Sequence, residues 1–193
     1  MKKRFFIHIP KCAGMTIRRS DVLKSRILYA NPKYHKSKQY TNAVKSKMDS
    51  HGDHHGFEHA RWRDIKPHIQ EQYTFFAVAR NPWDRVVSRY FFAKKVIEVE
   101  KTQDPSYADI SSFESFLEER HKWGDELYMW HRAVRGWYPA VDHVCDKKGK
   151  LKCDMIRFEV LNEDLCSYFD ISSMSRARNV TGLNPNSYTD MYN

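Results

Sequence analysis

The chain has 193 residues, and its 33 Lys and Arg outnumber its 24 Asp and Glu, so its formal net charge is +9 at pH 7. This length suits one domain with its own hydrophobic core, and the positive charge favours partners that carry negative charge. The sequence has no zinc-finger, RRM or basic-zipper pattern, which argues against a nucleic-acid-binding module.

The first predicted element is a buried strand in the apolar run that opens at Phe5. The turn PKCAGMT follows over residues 10–16, and residues 14–28 predict a helix with irregular apolar spacing. Unpaired N–H groups and the dipole at a helix start favour an anion, to which Lys11 can add a charge and Thr16 a hydroxyl. The loop is not a Walker A motif, because Lys11 precedes its glycine. The alternative is an ordinary turn with a solvated lysine.

Residues 30–56 are polar and rich in Lys, Ser and His, and we interpret them as a mobile segment on the acceptor side of a site. A histidine-rich tract, HGDHHGFEH, covers residues 51–59 and precedes a predicted helix over residues 61–72. Such tracts are also typical of surface clusters or adventitious metal sites. Neither the spacing of a zinc motif nor a Cys pair accompanies this one.

The second informative stretch is another predicted buried strand, residues 74–79, that runs into RNPWDRVVS. Asn81 suits the N-cap of a helix, Pro82 its first position and Asp84 the acid of a capping box. Arg80 therefore lies at the carboxyl end of a strand, and Ser88 lies two turns into the helix. A guanidinium fork and a hydroxyl suit a phosphate monoester. The alternative is that Arg80 pairs with Asp84 and Ser88 only packs.

The rest of the chain predicts further alternation of helices and strands. A capping box at residues 111–114 predicts a helix, residues 123–137 are aromatic and read as a helix, and residues 162–169 suggest another. Cys145 and Cys153 flank a lysine-rich stretch with a glycine that predicts a hairpin. Residues 174–193 read as an irregular tail. We therefore expect a single α/β domain over residues 1–193, with a central parallel sheet flanked by helices and ligands at the carboxyl ends of its strands.

Three segments together resemble the sulfotransferases that use 3′-phosphoadenosine-5′-phosphosulfate (PAPS), in particular the carbohydrate group that includes heparan sulfate 2-O-sulfotransferases and bacterial and viral relatives. Residues 8–16, HIPKCAGMT, resemble the family's 5′-phosphosulfate loop, usually HIPKTGGTS. Residues 80–88, RNPWDRVVS, resemble its 3′-phosphate motif almost letter for letter. Residues 154–164, DMIRFEVLNED, resemble its third, strand-and-turn motif. The resemblance implies a P-loop-like sulfotransferase fold.

The resemblance also implies roles for individual residues. The 5′-phosphosulfate would be held by Lys11 and the loop residues that follow it, namely Cys12, Ala13, Gly14, Met15 and Thr16. Arg80 and Ser88 would hold the 3′-phosphate. The chain departs from the family loop at Cys12, at Ala13 and at Met15, which removes one hydroxyl that Thr16 can replace.

A histidine between the two nucleotide motifs serves the family as general base. We prefer His59, because HARWRDI over residues 59–65 fits the family pattern H-x-x-x-R-x-[IL], with His55 and Glu58 as rivals. Some glycan sulfotransferases carry a disulfide in a similar lysine-rich hairpin, so a Cys145–Cys153 bridge is an expectation, with two free thiols as the alternative.

By this resemblance, the expected activity is transfer of a sulfuryl group from PAPS to a hydroxyl of a carbohydrate by in-line displacement, with PAP as the product and no metal required. Lys11 would support the leaving oxygen. Two alternatives stay open: a P-loop-like nucleotide kinase, and a non-catalytic module that binds nucleotides or anionic glycans. No signal peptide or transmembrane span is seen, so we expect a soluble cytoplasmic protein, unless the sequence is part of a longer one.

Overall fold

The computed structural model describes residues 3–50, 56–101, 108–123, 127, 137–174 and 188–192. Its core is one sheet of four parallel strands, ordered β2-β1-β3-β4. The strands are β1 Arg4–Ile7, β2 Ile27–Tyr29, β3 Phe75–Ala79 and β4 Asp154–Arg157. The helices are α1 Gly14–Arg18, α2 Lys38–Ser50, α3 Pro67–Gln72, α4 Pro82–Lys94, α5 Phe113–Trp123, α6 Ala140–Val144 and α7 Leu161–Phe169. The predicted α/β class with a parallel sheet flanked by helices is confirmed.

The two central strands are the apolar runs that the sequence predicted. Phe5 pairs with Phe75 and Phe6 with Phe76, and all four side chains are buried. Strands covered on both faces become almost continuously hydrophobic, as these are. Because β1 and β3 are neighbours and parallel, the segments that follow them leave the sheet side by side at its carboxyl edge.

The helix predicted over residues 14–28 is wrong. It ends at Arg18, and the chain passes through turns before Ile27 pairs with Arg4 as the start of β2. The apolar spacing there does not match a helical period, whereas the run Ile27-Leu28-Tyr29 can add an edge strand to β1. Tertiary pairing therefore decided an element that local pattern left ambiguous.

Two other boundaries differ from the prediction. The helix predicted over residues 61–72 begins only at Pro67, after a 3₁₀ turn at Trp62–Asp64, because the residue before a proline is biased away from helical backbone. Within residues 30–56, α2 packs Tyr40, Val44 and Met48 into the core. The mobility and the acceptor-side position of that segment stay predictions.

Several later elements are confirmed. Ser112 caps α5 by accepting from the Ser115 N–H, and α7 covers the predicted helix over residues 162–169. The hairpin forms with Gly149 at its turn, where φ is 79°, a conformation that favours glycine. Cys145 and Cys153 are both buried free thiols, so the expected disulfide does not join the hairpin in this structure.

Two predicted elements fall largely beyond the described part of the chain. The aromatic helix over residues 123–137 lies mostly outside the described residues, and so does most of the tail from residue 174. The described end of the tail, Thr189–Tyr192, forms a 3₁₀ turn. Tyr192 donates to the Trp83 carbonyl at 3.0 Å and the Asn81 amide donates to the Tyr188 hydroxyl at 3.2 Å, so this turn packs on the start of α4.

Candidate active site

The loop between β1 and α1 is held in an unusual backbone conformation. Lys11 and Ala13 have φ values of 66° and 57°, in the left-handed region that residues with a side chain rarely adopt. Such strain persists where the surroundings enforce it and is common at functional sites. Cys12 is buried beneath the loop, its N–H donates to the Ile9 carbonyl, and burial raises the pKa of its thiol to about 11. The Cys12 thiol is therefore neutral at pH 7.

Lys11 is the cation that this loop presents. Its ammonium lies 4.0 Å from the centre of the Phe92 ring. Burial first, and then the positive charges of Arg80, Arg89 and Lys95, lower the pKa of Lys11 to about 7. A lysine in this environment gains from an anion nearby, because the anion offsets both the lost hydration and the repulsion.

The environment of Lys11 makes the stability of the protein depend on pH. Between about 7 and the ordinary value of 10.5, the unfolded chain keeps a proton that the folded chain has released. The free energy of unfolding therefore rises with pH in this window, by about 1 kcal/mol per pH unit at its middle. We expect urea unfolding from pH 7 to pH 9.5 to show this rise in the native chain relative to Lys11→Met. If the free energy of unfolding changed with pH equally in the two proteins, Lys11 would be charged in the folded state across this range.

Arg80 links the two nucleotide-type motifs. It donates to the Lys11 carbonyl at 3.0 Å, and its fork holds Asp84 through two contacts of 2.6 and 2.8 Å. The pairing with Asp84 is the alternative that the sequence left open, and it replaces the capping box expected there. Asn81 does cap α4, by accepting from the Trp83 N–H at 3.0 Å.

The third motif fixes Arg80 in place. The Phe158 ring lies 4.1 Å from the guanidinium carbon of Arg80, and the Phe158 N–H donates to the Ala79 carbonyl. Glu159 accepts from the Asn81 N–H at 2.7 Å, at the start of α4. The second motif thus contacts both the first and the third at the carboxyl edge of the sheet, although long stretches of chain separate the three.

Two arginines of α4 that the sequence analysis did not single out lie buried beside the loop. Arg85 donates to the Pro10 carbonyl at 3.0 Å and to the Tyr138 carbonyl at 3.1 Å, and its other terminal nitrogen is buried without a partner in the described residues. Arg89 is 1% exposed and packs 4.2 Å from the centre of the Trp137 ring. Ser88 is also buried in this helix, four residues after Asp84. The sequence signal was available, because Arg85 and Arg89 recur at helical spacing with Ser88.

This loop and helix suit a ligand with several negative charges. Lys11, Arg80, Arg85 and Arg89 gather near the loop, and Asp84 neutralises Arg80. Burying cations is costly without an opposite charge. The orphaned nitrogen of Arg85 is the observation that best matches an anionic partner. The residues present therefore fit a phosphate-bearing nucleotide.

The preferred base, His59, lies on a 3₁₀ turn and is buried. Its Nδ1 lies 3.0 Å from the His8 carbonyl oxygen, and the two rings are 4.3 Å apart. A carbonyl only accepts, so Nδ1 must donate, and the lone pair of the neutral ring is then on Nε2. The hydrogen bond thus selects the tautomer that a general base needs.

The two alternatives to His59 as general base are Glu58 and His55. Glu58 forms a close ion pair with Arg18, so this carboxylate already has a charged partner. His55 lies outside the described residues. Beside His59, the pKa of His8 is lowered well below 6.5, by burial first and then by the charge of His59.

A third histidine, His143, was missed by the sequence analysis. It lies in α6, fully buried, and both ring nitrogens lack partners among the described residues. Asp142, its neighbour, pairs with Arg61 at 3.0 Å and with Arg63, so α6 is fixed to the segment that follows His59. Arg61 and Arg63 are therefore engaged in ion pairs. No local sequence pattern marks His143, because only the fold brings it close to His59.

Gly14 is required by the His8 ring. A Cβ at residue 14 would lie 1.7 Å from Nε2 of His8, which is buried and cannot move into solvent. We expect Gly14→Ala to lower the free energy of unfolding by about 1 to 3 kcal/mol, the usual cost of overpacking. Adding His8→Ala should recover part of this loss, which chemical denaturation of the four proteins of the double-mutant cycle would measure. Strictly additive effects would contradict the contact.

A separate depression lies at the opposite edge of the sheet. Its volume is about 520 Å³, and it is lined at the strand starts by Thr74, Phe75 and Asp154 and flanked by Trp62 and Lys152. Arg80 and the loop that follows β1 lie at the opposite, carboxyl ends of the parallel strands. The depression is therefore not part of the candidate active site.

The chain is thus an α/β protein whose cationic side chains gather at the carboxyl edge of a parallel sheet. A family model described as the sulfotransferase family matches residues 2–191. The chain therefore belongs to the sulfotransferase family. Comparison with curated proteins and with solved structures gave no significant match. Within the described residues, no helix is both long and apolar enough to cross a bilayer.

Proposed function

We propose that this sulfotransferase uses PAPS as its donor and transfers the sulfuryl group to a hydroxyl of a carbohydrate. The observation that carries the proposal is the contact between the two nucleotide-type motifs, made by Arg80 and the Lys11 carbonyl at the carboxyl ends of β1 and β3. A donor with phosphate groups at both ends of its ribose needs two anion sites side by side. The contacts of the loop and of α4 are consistent with such a pair.

The residues divide naturally between the two anionic groups. Lys11 and the loop residues 12–16 would hold the 5′-phosphosulfate, because N–H groups at the start of a helix favour an anion. Arg80 and Ser88 would hold the 3′-phosphate. The donor supplies the activated sulfuryl group when it is bound. Arg85 ties the loop to α4 through the Pro10 carbonyl, and it thereby keeps the two sites at a fixed distance.

The chemistry assigned to the protein is positioning and charge stabilisation. Lys11 would donate to the bridging oxygen as negative charge develops there, and its lowered pKa makes it a suitable proton donor near pH 7. His59 would accept the proton of the acceptor hydroxyl at Nε2, while Nδ1 stays bonded to the His8 carbonyl. Burial of both groups strengthens their electrostatic effect.

The proposed carbohydrate acceptor follows from two observations. It is supported by the likeness of the motifs to the heparan sulfate 2-O-sulfotransferase-like group, with its bacterial and viral relatives. The net charge of +9 is consistent with an anionic glycan. An acceptor screen with neutral and anionic oligosaccharides would distinguish these possibilities.

Calorimetric titration with PAP, ADP and ATP tests the donor site. We expect PAP to bind at least tenfold more tightly than ADP, because only PAP carries a 3′-phosphate. Equal affinities for PAP and ADP would contradict the 3′-phosphate site and favour a kinase-like nucleotide site. Tight PAP binding without transfer of sulfate from PAPS to any acceptor would favour the non-catalytic module.

A further inference from the structure

A second type of ligand fits the cluster around the proposed base. His8, Glu58 and His59 each offer one ligand atom, and these three atoms lie within 4.8 Å of one another. Two imidazoles and one carboxylate form a ligand set that zinc uses in proteins, with a fourth position left to water or substrate. We propose that this cluster binds a divalent transition-metal ion, Zn²⁺ above all, and that the ion inhibits the enzyme by occupying its base.

The first support is that His59 and Glu58 already have the outer contacts typical of metal ligands. Ligating histidines generally donate their second ring N–H to a carbonyl or carboxylate, and ligating carboxylates are themselves hydrogen-bonded. His59 Nδ1 donates to the His8 carbonyl at 3.0 Å, which directs its lone pair to Nε2. Glu58 is held by Arg18. The two side chains are therefore oriented without the ion.

The second support is His8 itself. Its side chain is buried and packed against Gly14, and in the described part of the chain its Nδ1 has no hydrogen-bond partner. This nitrogen lies 3.9 Å from the Glu58 Oε1 atom. A buried polar atom left unpaired is unfavourable, and a metal ion between the imidazole and the carboxylate would give it a partner.

The charges around the cluster limit its affinity. Arg18 neutralises much of the charge of Glu58, and Lys11 and Arg61 are further cations of the site. We therefore expect binding weaker than that of a structural zinc site, whose ligands are mostly thiolates. Such a site suits reversible inhibition.

The binding part of the proposal stands on geometry alone, and only the inhibition rests on the proposed function. Co²⁺ tests the first part, because its visible absorption reports coordination by protein ligands. The probe is Co²⁺ alone, added to the untagged full chain and then displaced by Zn²⁺. We expect absorption bands that saturate at one equivalent in the native protein and are lost in Glu58→Gln and His59→Asn, whose folding is checked by circular dichroism.

A matched control addresses the histidine tract just before the cluster. Replacing His51, His54 and His55 together with alanine should leave the Co²⁺ bands in place. Bands that disappear in this triple variant but persist in Glu58→Gln and His59→Asn would overturn the proposal, and so would the absence of bands in the native chain.

Inhibition is measured separately from binding. In the presence of saturating PAPS, Zn²⁺ should suppress transfer at the concentration that displaces Co²⁺, and a chelator should restore it. Saturation of the cluster without loss of transfer would overturn the inhibitory role. If the chain transferred no sulfate at all, the proposed function would fail while the Co²⁺ bands still decided whether the cluster binds metal.

Discussion

Replacing His59 with alanine is expected to abolish sulfuryl transfer and to leave the affinity for PAP unchanged. His59 is buried, its Nδ1 donates to the His8 carbonyl, and its Nε2 is thereby the basic nitrogen. Loss of a positioned general base lowers a rate by roughly 10² to 10⁴. Calorimetry with PAP and a transfer assay with PAPS separate the two properties, because no nucleotide contact is assigned to His59.

Two further variants make the His59 result interpretable. His59→Asn places an amide nitrogen near the position of Nδ1, so it can keep the bond to the His8 carbonyl while it removes the base. His68→Ala removes an exposed histidine nine residues away and should have no effect on transfer. Transfer that survives in His59→Asn would move the role of base to Glu58 or His55.

Replacing Arg80 with alanine is expected to weaken PAP binding by about 2 kcal/mol, close to 30-fold, because a charge-assisted contact to a phosphate is lost. Arg80→Lys should recover only part of the affinity, since an ammonium cannot form two parallel contacts. ADP lacks the 3′-phosphate, so its affinity should change little. Calorimetric titration of each variant with PAP and ADP measures all of these differences.

Asp84→Ala provides the control for a purely structural role of Arg80. Arg80 holds Asp84 and the Lys11 carbonyl, so its loss can also disturb the loop. Asp84→Ala breaks the same ion pair but keeps the guanidinium available to a phosphate. If PAP affinity falls equally in Arg80→Ala and Asp84→Ala, Arg80 acts only by holding the loop and α4 together.

Much of the fold follows from short stretches of sequence. The apolar runs that became β1 and β3 are too rich in Phe, Ile and Val to lie at a surface, and Asn81 with Pro82 starts α4 where capping preferences place it. Where the local pattern was weak, prediction failed. Residues 27–29 became an edge strand instead of the end of a helix, because the partner strand lies more than twenty residues upstream.

The sequence by itself determined the two central strands β1 and β3, the capped starts of α4 and α5, and the three motifs. Each of these depends on neighbours within a few residues, through side-chain periodicity, capping and turn preferences. Only the tertiary structure decided which distant charges are paired and which are buried: Arg61 with Asp142, Arg85 beneath the loop, and His8 beside His59. These contacts join distant segments, and burial, which sets both pairing and pKa, arises only when the whole chain packs.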